Sequence, residues 1–289
     1  MTYRELYTRL IPSLTNDKSS LQNVCNEETV QEAKAIVRML LEDNFAMSWT
    51  DIICGKVNEL SRDSAQQLEE FMQRLEKGEP IQYVLGGAYF AGRRFDVAPG
   101  VLIPRPETAD LCQWIEDDNK QGEILDVGTG SGCIAITLAL DVPLANVTAW
   151  DISDKALTIA RDNSKLLGSK VNFEKQDALN IQIIEGDKWD VIVNNPPYII
   201  SKEKKEMNKN VLDYEPESAL FVPDEDPLLF YRSIAQYGKK TLKRGGKIYF
   251  EINPLFTDAM KEMLEKLNYN DIETRKDRFG KDRMMKCVL

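Results

Sequence analysis

The sequence predicts an α/β protein with a doubly wound, mostly parallel β-sheet, an antiparallel closing strand and a small helical domain at the N-terminus. Between residues 122 and 289, short branched apolar runs alternate with helical segments, which is typical of a parallel sheet covered on both faces. Residues 1–78 show helical spacing only. We therefore expect a helical domain at residues 1–78, a β-hairpin linker at 79–100 and the main domain at 101–289.

The N-terminal domain is predicted to contain four or five short helices. Apolar side chains recur at helical spacing, for example at Val30, Ala33 and Val37. Gly78 and Pro80 end the last helix, since glycine favours a helix C-terminus and proline does not continue a helix. The charged exterior of this domain is either a solvated face or a surface that docks another protein.

The composition changes at residues 80–100. Ile81–Leu85 and Arg94–Val97 flank a glycine-rich stretch, which predicts a β-hairpin between the two domains. Two prolines within Leu102–Thr108 then predict a stiff, extended segment before a helix that begins near Glu107. Arg105, held between these prolines, is either a solvated charge or a group aimed at a carboxylate or a nucleotide.

The main domain is predicted to alternate strands with helices. The expected strands are Glu123–Val127, Asn146–Trp150, Val171–Glu174, Trp189–Val193 and Lys247–Ile252. The expected helices are Cys133–Leu140, Asp154–Leu167, Pro227–Leu242 and Pro254–Leu267. Asp271–Arg275 and Arg283–Val288 predict a closing strand pair with at least one antiparallel neighbour.

Composition excludes several classes of function. The 289 residues carry 37 Lys and Arg against 47 Asp and Glu, a net charge of −10, which disfavours a broad phosphate-binding surface. Histidine is absent, which excludes catalytic triads built on it. No apolar run approaches the about 18 residues of a membrane span, so we expect a soluble, cytoplasmic protein. We also expect no metal site and a monomer. The scattered cysteines are predicted to be buried or free thiols of a reducing compartment: Cys25, Cys54, Cys112, Cys133 and Cys287.

A glycine loop follows the first strand of the main domain and opens a helix. Its sequence is Asp126-Val127-Gly128-Thr129-Gly130-Ser131-Gly132. Glycines at these positions allow a tight turn and a close approach of the backbone to a ligand. A dinucleotide fingerprint would have a sixth-position glycine where Cys133 stands, so the GxGxG pattern favours a nucleoside without a pyrophosphate.

Acidic side chains end the next two strands. Asp151 lies 19 residues beyond Gly132, where a carboxylate either accepts both hydroxyls of a ribose or caps the helix that starts near Ser153. Asp177 follows the third strand and is placed to accept from the exocyclic amine of an adenine. A single acid at a strand end is also an ordinary turn or cap residue.

The fourth strand ends at Asn195-Pro196-Pro197-Tyr198. Neither proline donates to a sheet ladder, so the strand stops and leaves Asn195 and Tyr198 at its carboxyl edge, where open α/β sheets bind ligands. The Asn195 side-chain oxygen and the Pro196 carbonyl oxygen are suited to hold a planar amino group whose face packs on Tyr198. Alone, the tetrapeptide is also a common strand-ending turn; the order of the strand ends favours a site.

These motifs resemble the PrmC/HemK family of S-adenosylmethionine-dependent methyltransferases, which modify the glutamine of the Gly-Gly-Gln motif in peptide chain release factors. The resemblance covers most of residues 80–289 and rests on the glycine loop, Pro80–Gly86, Leu102–Thr108, Asn195–Tyr198, Tyr214–Leu220 and Arg275–Asp277. It implies a class I methyltransferase-like fold, a factor-recognition role for the helical domain, and S-adenosylmethionine as methyl donor with S-adenosylhomocysteine as product. It also implies release factors as partners, with no direct nucleic-acid partner, membrane or metal.

Carried over by position, the resemblance also assigns site residues. The implied catalytic residues are Asn195, Pro196 and Tyr198, and the implied substrate-binding residues are Asn195, Pro196, Pro197 and Tyr198. The implied cofactor-binding residues are Gly128, Thr129, Gly130, Ser131, Gly132, Asp151, Asp177, Ala178 and Asn195. Further candidates for the cofactor side are Phe95, Arg105 and Thr108.

Three departures separate this chain from the family's usual pattern. Ala178 stands where a large aromatic side chain is frequent, which weakens the expected adenine contact. Asn253 replaces the glycine of a Glu-Ile-Gly sequence, and Val222–Asp226 replaces a glycine-rich stretch. The last two lie in loops, so they bear on details of the site more than on the type of reaction.

Other functions stay open when the residues alone are considered. The strand-end tetrapeptide is shared with enzymes that methylate amino groups of DNA or RNA bases, and one local basic cluster consists of Lys202, Lys204, Lys205 and Lys209. An NAD-dependent dehydrogenase also uses a glycine loop, but the missing sixth glycine and the strand-end amide argue against it. A cofactor-binding module without catalysis is the third alternative.

Overall fold

The computed structural model describes residues 1–15, 27–182 and 185–289 of the chain. The described residues form two compact units. The helical unit contains Met1–Gly87 and Met207–Tyr214, and the sheet unit contains Ala88–Glu206 and Glu215–Leu289. The division into domains at residues 78 and 100 stays a prediction, and Cys25 lies outside the described residues.

The helical unit confirms the predicted helical N-terminal region. Its helices are α1 (Tyr3–Leu14), α2 (Glu27–Phe45), α3 (Trp49–Ile53), α4 (Arg62–Glu76), α5 (Ile81–Leu85) and α9 (Lys209–Tyr214), with a 3-10 turn at Lys56–Glu59. Leucines of α1 and α2, such as Leu6 and Leu40, are fully buried in one apolar core with residues of α3, α4 and α5. The Tyr214 hydroxyl of α9 donates to the Lys77 carbonyl at 3.1 Å, so this later segment belongs to the same unit.

Helix α5 corrects one prediction. Ile81–Leu85 was expected to be the first strand of the hairpin, and the strand assignment is wrong there. Pro80 occupies the N-cap position, and Gly86 ends the helix in the left-handed conformation with φ 67°. Most of the helix is buried, and the side chains that enter the helical core repeat at the i, i+3 and i+4 spacing of a helix face. The hairpin follows shortly afterwards.

The remaining elements form the hairpin and the sheet unit. The strands are β1 (Gly87–Phe90), β2 (Arg93–Asp96), β3 (Gln121–Val127), β4 (Leu144–Asp151), β5 (Val171–Lys175), β6 (Trp189–Asn194), β7 (Leu242–Glu251), β8 (Asn270–Lys276) and β9 (Asp282–Val288). The helices are α6 (Pro106–Asp118), α7 (Cys133–Asp141), α8 (Asp154–Leu167), α10 (Glu217–Leu220), α11 (Leu229–Thr241) and α12 (Thr257–Lys266), with 3-10 turns at Ser201–Glu206 and Pro254–Phe256.

The large sheet confirms the predicted fold class. Its strand order is β5-β4-β3-β6-β7-β9-β8, and β1 pairs with β2 in a separate hairpin. Neighbours from β5 to β7 pair in parallel, whereas β9 is antiparallel to both β7 and β8. The antiparallel pair closes one edge of an otherwise parallel sheet, as the sequence predicted.

Successive residues of the central strands face opposite layers of helices. Ile124 packs in a core that includes residues of α6 and α7, whereas Leu125 packs in a core that includes residues of α11 and α12. The same alternation separates Val193 from Ile192 in β6. Because strand side chains alternate with a period of two, a continuous apolar run buries both faces of the sheet. The carboxyl edge of the strands is thus left for polar groups.

Two further predictions concern the cysteines and membrane-spanning helices. Cys112, Cys133 and Cys287 are buried free thiols, and Cys54 is an exposed free thiol. Across the described ranges, no helix combines the length and the apolar character that a membrane crossing requires.

Candidate active site

The strand order reverses at the carboxyl ends of β3 and β6. From β3 the sheet extends through β4 to β5, and the chain then returns to β6 on the opposite side of β3. In this register Val127 pairs with both Trp150 and Asn194. Asp151 and Asn195 come directly after these partners, and the glycine loop follows Val127. The register therefore brings these sequence-predicted residues to one crevice, at the position where open α/β sheets bind ligands.

The glycine loop turns sharply away from β3. The N–H groups of Gly128 and Thr129 both donate to the Trp150 carbonyl, at 2.8 and 2.9 Å. Gly130 has a φ of 56°, and a Cβ atom there would meet no other atom within 4 Å. Gly128 is exposed, so the loop presents open backbone to a ligand.

Gly132 has a different task in the same loop. Its φ is 82°, and a Cβ atom would lie 2.8 Å from the Ile136 Cδ1 atom and 3.1 Å from the Ala160 Cβ atom. These contacts are closer than ordinary packing permits. Gly132 therefore allows the loop to pack tightly on α7 and α8.

Asp126, the last polar residue of β3 before the loop, is fully buried. Its Oδ2 atom accepts from the Thr129 hydroxyl at 2.6 Å. Burial raises the pKa of Asp126 to about 7, and the hydrogen bond from Thr129 opposes that rise. The carboxyl group thus holds the loop through Thr129. Because its pKa is raised, it takes up a proton at a higher pH than an exposed carboxyl group does.

Asp151 ties the glycine loop to the start of α8. Its Oδ2 atom accepts from the Gly130 N–H group and its Oδ1 atom from the Ser153 N–H group, each at 2.9 Å. The Ser153 hydroxyl itself caps α8 by accepting from the Ala156 N–H group at 3.2 Å. Burial raises the pKa of Asp151, and its backbone hydrogen bonds lower it. Each carboxylate oxygen keeps a second lone pair, which leaves capacity for a hydroxyl donor.

Asp177 forms a turn after β5. Its Oδ1 atom accepts from the Leu179 N–H group at 2.9 Å and its Oδ2 atom from the Asn180 side chain at 2.6 Å. Ala178 is half-buried, and its carbonyl accepts from the Ser233 hydroxyl at 2.5 Å. The turn interpretation describes the local contacts of Asp177, and the adenine contact stays a prediction.

Two consecutive asparagines at the end of β6 have different partners. Asn194 is 3% exposed, and its Nδ2 atom donates to the Val127 carbonyl at 2.7 Å, which joins the ends of β6 and β3. Asn195 is half-buried, and its Nδ2 atom donates to the Thr108 hydroxyl oxygen at 3.3 Å. The Oδ1 atom of Asn195 has no hydrogen-bond partner among the residues that the structure describes. That oxygen is the available acceptor.

A buried carboxylate links Thr108 to Tyr198. Glu251, at the end of β7, is 2% exposed. Its Oε2 atom accepts from the Thr108 hydroxyl at 2.6 Å and its Oε1 atom from the Tyr198 hydroxyl at 3.0 Å. Burial raises the pKa of Glu251, while these hydrogen bonds and the charge of Arg283 lower it. A hydrogen-bonded chain therefore runs from Asn195 through Thr108 and Glu251 to Tyr198.

Asn253 fastens the far end of the tetrapeptide. Its Nδ2 atom donates to the Tyr198 carbonyl at 3.0 Å and to the Glu203 carboxylate at 2.9 Å. Its Oδ1 atom accepts from the Leu255 N–H group at 3.0 Å. The departure from glycine at this position thus supplies contacts that glycine lacks.

The Tyr198 phenol keeps its proton, because burial and the negative charge of Glu251 raise its pKa.

Arg105 pairs with a carboxylate, which is one of the interpretations of its sequence position. Its Nη2 atom donates to the Glu215 Oε1 atom at 2.5 Å. The other Glu215 oxygen accepts from the Ile103 N–H group at 3.1 Å, and Glu215 is 4% exposed. This ion pair fixes the extended segment that leads into α6 and Thr108.

Phe95 is the last of the predicted candidates, and it lies in the core. Three other residues near the candidate site were not predicted from the sequence. Phe95 is fully buried and packs edge-on against Phe90, with ring centroids 5.9 Å apart, so it offers no exposed surface. Glu251, Asn253 and Glu215 were not identified as members of the site. One signal for Glu251 was present in the sequence: it is an acid at the carboxyl end of a buried apolar strand, as is Asp151.

The chain matches two family models. Residues 87–214 match a model described as methyltransferase small domain, and residues 21–86 match a model described as PrmC N-terminal domain.

Several curated relatives are similar over nearly the whole chain. The release factor glutamine methyltransferase of Bacteroides thetaiotaomicron is 50% identical over 269 residues, which cover 93% of this chain and 96% of that protein. The protein of the same name from Flavobacterium psychrophilum is 39% identical, covering 98% of this chain and 97% of that protein. The Bacillus subtilis protein of that name is 34% identical, covering 91% and 93%.

Solved structures share the fold at low sequence identity. The hMettl16 catalytic domain superposes with a TM-score of 0.51 at 18% identity, covering 67% of this chain and 74% of that chain. A T. thermophilus 16S rRNA methyltransferase in complex with AdoMet and guanosine gives 0.50 at 17% identity, covering 70% and 49%. The expected class I methyltransferase-like fold is thereby confirmed.

Gly132→Ala is expected to destabilise the protein by about 2–4 kcal/mol, because alanine is strained in the left-handed region and its Cβ atom overlaps Ile136 and Ala160. Gly168→Ala is the matched control: its φ is 70° and its Cβ atom would meet nothing within 4 Å. There only the backbone strain of about 1–2 kcal/mol remains. Urea denaturation measures both, and equal losses would contradict the packing role of Gly132.

The buried carboxyl of Asp126 predicts a pH dependence of stability. Its pKa is about 7 in the folded state against an ordinary 3.8, so the unfolded chain releases this proton first as the pH rises. Its contribution is complete below about pH 4 and is lost by about pH 7, with an upper limit of about 4 kcal/mol. The free energy of unfolding of wild type relative to Asp126→Asn should therefore fall over that range.

Urea titrations at several pH values measure this difference for Asp126→Asn. Asp110→Asn, which changes an exposed carboxylate of α6, is the control and should track the wild type. A difference between wild type and Asp126→Asn that stays constant from acid to neutral pH would show that Asp126 does not titrate as described.

Proposed function

The chain belongs to the release factor glutamine methyltransferase family, and we propose that it methylates the side-chain amide nitrogen of the glutamine in the Gly-Gly-Gln motif of peptide chain release factors. The methyl donor in this proposal is S-adenosylmethionine. The observation that carries the proposal is the position of Asn195-Pro196-Pro197-Tyr198 beside the glycine loop, where the strand order reverses. Near full-length similarity to proteins named for this activity supports it.

The residues around the glycine loop fit S-adenosylmethionine. The backbone at Gly128 and Gly130 is suited to the methionine end, since the two glycines let a ligand approach without side chains in the way. The spare lone pairs of Asp151 are suited to the ribose hydroxyls. Asp177 and Ala178 are assigned to the adenine side. When bound, S-adenosylmethionine supplies an electrophilic methyl group on its sulfonium.

The substrate amide needs positioning more than activation by a base. An amide nitrogen is a weak nucleophile because its lone pair is delocalised into the carbonyl. The Asn195 Oδ1 atom and the Pro196 carbonyl oxygen accept hydrogen bonds from the two amide N–H groups, orient the nitrogen and stabilise the positive charge that develops on it. The charge is removed when one of these two hydrogens leaves as a proton. Alignment of this kind in a closed site is worth about 7–11 kcal/mol.

Tyr198 and Pro197 complete the substrate side of the proposed site. The face of the Tyr198 ring packs against the planar amide, and its hydroxyl is held by Glu251 at 3.0 Å, which fixes the ring. Pro197 restricts the backbone between the acceptor and the ring. A protonated phenol cannot act as a base, so the tyrosine supplies shape and not proton transfer.

The release factor itself is the proposed protein partner, with the helical domain at residues 1–78 as its recognition surface. Release factors act in translation, so the proposed place of action is the cytoplasm. A nucleic-acid base presents a similar planar amino group, but the net charge of −10 disfavours a polyanionic partner. A dehydrogenase would need a loop built for a pyrophosphate, which the GxGxG pattern does not favour.

Asn195→Ala is expected to lower methylation of a release factor by at least about 100-fold, since it removes the side-chain acceptor for the amide hydrogens. Radiolabelled S-adenosylmethionine measures the transfer, and calorimetry on the same variant should give a cofactor Kd close to that of wild type. A release factor whose motif glutamine is replaced by alanine is the control substrate and should take no label. Full activity of Asn195→Ala would refute the assignment.

Asp151→Ala is expected to weaken S-adenosylmethionine binding by about 10- to 100-fold, because hydrogen bonds to a charged group are lost. The rate at saturating cofactor should change much less. Asp154→Ala, three residues along the same segment and 78% exposed at its side chain, is the matched control and should bind like wild type. Calorimetry measures the Kd for S-adenosylmethionine, and an unchanged Kd in Asp151→Ala would show that Asp151 does not bind the cofactor.

A further inference from the structure

Glu251 is a buried acid that the transfer reaction does not use directly. It is 2% exposed, as is Thr108, and it contacts Asn195 only through the Thr108 hydroxyl. We infer that Glu251 is a positioning residue: through Thr108 it sets which end of the Asn195 amide faces the substrate. This inference rests on the proposed function, in which the Asn195 oxygen accepts from the glutamine amide.

The direction of the hydrogen bonds follows from the chemistry of the groups. A carboxylate only accepts, so the single hydroxyl hydrogen of Thr108 is donated to Glu251, at 2.6 Å. The Thr108 oxygen then has only lone pairs to offer Asn195. It therefore selects the NH2 end of the amide, at 3.3 Å, and turns the amide oxygen to the opposite side. The substrate meets an acceptor, as amide methylation requires.

The surroundings of Glu251 keep this polarity fixed. The Tyr198 hydroxyl donates to the second carboxylate oxygen at 3.0 Å. Burial raises the pKa of Glu251, and the two hydroxyl donors and the positive charge of Arg283 oppose that rise. The Tyr231 hydroxyl donates to the Glu251 backbone carbonyl at 3.1 Å and fixes the end of β7. If Glu251 only filled the core, an apolar side chain of similar size would give a protein of equal or greater stability. Its burial in contact with the site is therefore explained by the orientation it imposes.

A glutamine at position 251 reverses the chain of donors. The Tyr198 hydroxyl would still donate to the Gln oxygen, so the new NH2 group would face Thr108 and donate to it. The Thr108 hydroxyl hydrogen would then point to Asn195 and select its oxygen. Glu251→Gln thus presents a donor to the substrate amide where an acceptor is needed, with almost no change in shape.

Glu251→Gln is expected to lower kcat for release factor methylation by about 10- to 100-fold, the range found for groups that orient the ligands of a metal ion. The KM for the release factor and the calorimetric Kd for S-adenosylmethionine should stay within about twofold, because the variant leaves the helical domain and the residues around the glycine loop unchanged. Thr108→Val, which removes the hydroxyl at constant shape, should also lower kcat. Thr108→Ser keeps the hydroxyl and should restore most of the rate.

The double variant separates orientation from mere stability. Without the Thr108 hydroxyl, Glu251 has no contact with Asn195, so adding Glu251→Gln to Thr108→Val should cause no further loss of kcat. Thr137→Val is the matched control for a buried hydroxyl. Thr137 is fully buried and its hydroxyl has no hydrogen-bond partner within the described part of the chain, so kcat should stay at the wild-type value.

The outcomes distinguish this inference from the proposed function. If Asn195→Ala is inactive while Glu251→Gln and Thr108→Val both turn over at the wild-type rate, the inference about Glu251 is wrong and the proposed function stands. Additive losses in the double variant, or a Thr108→Ser variant as slow as Thr108→Val, would also overturn it. If Asn195→Ala keeps full activity, the proposed site itself fails.

Discussion

The parallel pairing of β3 with both β4 and β6 is the constraint on which the site depends. Hydrogen bonds between these strands align Val127 with Trp150 and with Asn194, so the chain leaves all three strands at the same level. A shift of one residue would turn each side chain to the other face of the sheet and disrupt the packing of both apolar cores. Burial of both faces therefore fixes the geometry of the crevice.

Polar groups at this edge are buried and held by specific partners. Asp126 holds the glycine loop through Thr129, Asn194 joins β6 to β3, and Glu251 receives the hydroxyls of Thr108 and Tyr198. Each of these groups costs free energy to bury, and hydrogen bonds offset that cost only when their geometry is good. In the proposed site the acceptors are therefore oriented before a ligand arrives, which would lower the reorganisation needed for transfer.

The elements of the sheet unit could be predicted from local pattern, because apolar runs, glycine and proline determine the backbone conformation of residues close to them in the chain. The helix Asp154–Leu167 has the predicted bounds. The strand predicted at Ile81–Leu85 was wrong because a short apolar run does not distinguish a strand from a buried helical turn, and tertiary contacts decided it. The link between Thr108 and Glu251 joins residues 143 positions apart, and no local pattern encodes a side-chain contact of that separation.

The central claim is that Asn195 and Pro196 hold the glutamine amide by its two hydrogens. A crystal structure of this chain with a release factor and S-adenosylhomocysteine tests it most directly. We expect the Asn195 Oδ1 atom and the Pro196 carbonyl oxygen each to lie about 2.7–3.2 Å from the glutamine side-chain nitrogen. A complex in which that nitrogen contacts neither oxygen, or in which the Asn195 amide is turned with its nitrogen toward the substrate, would contradict the account.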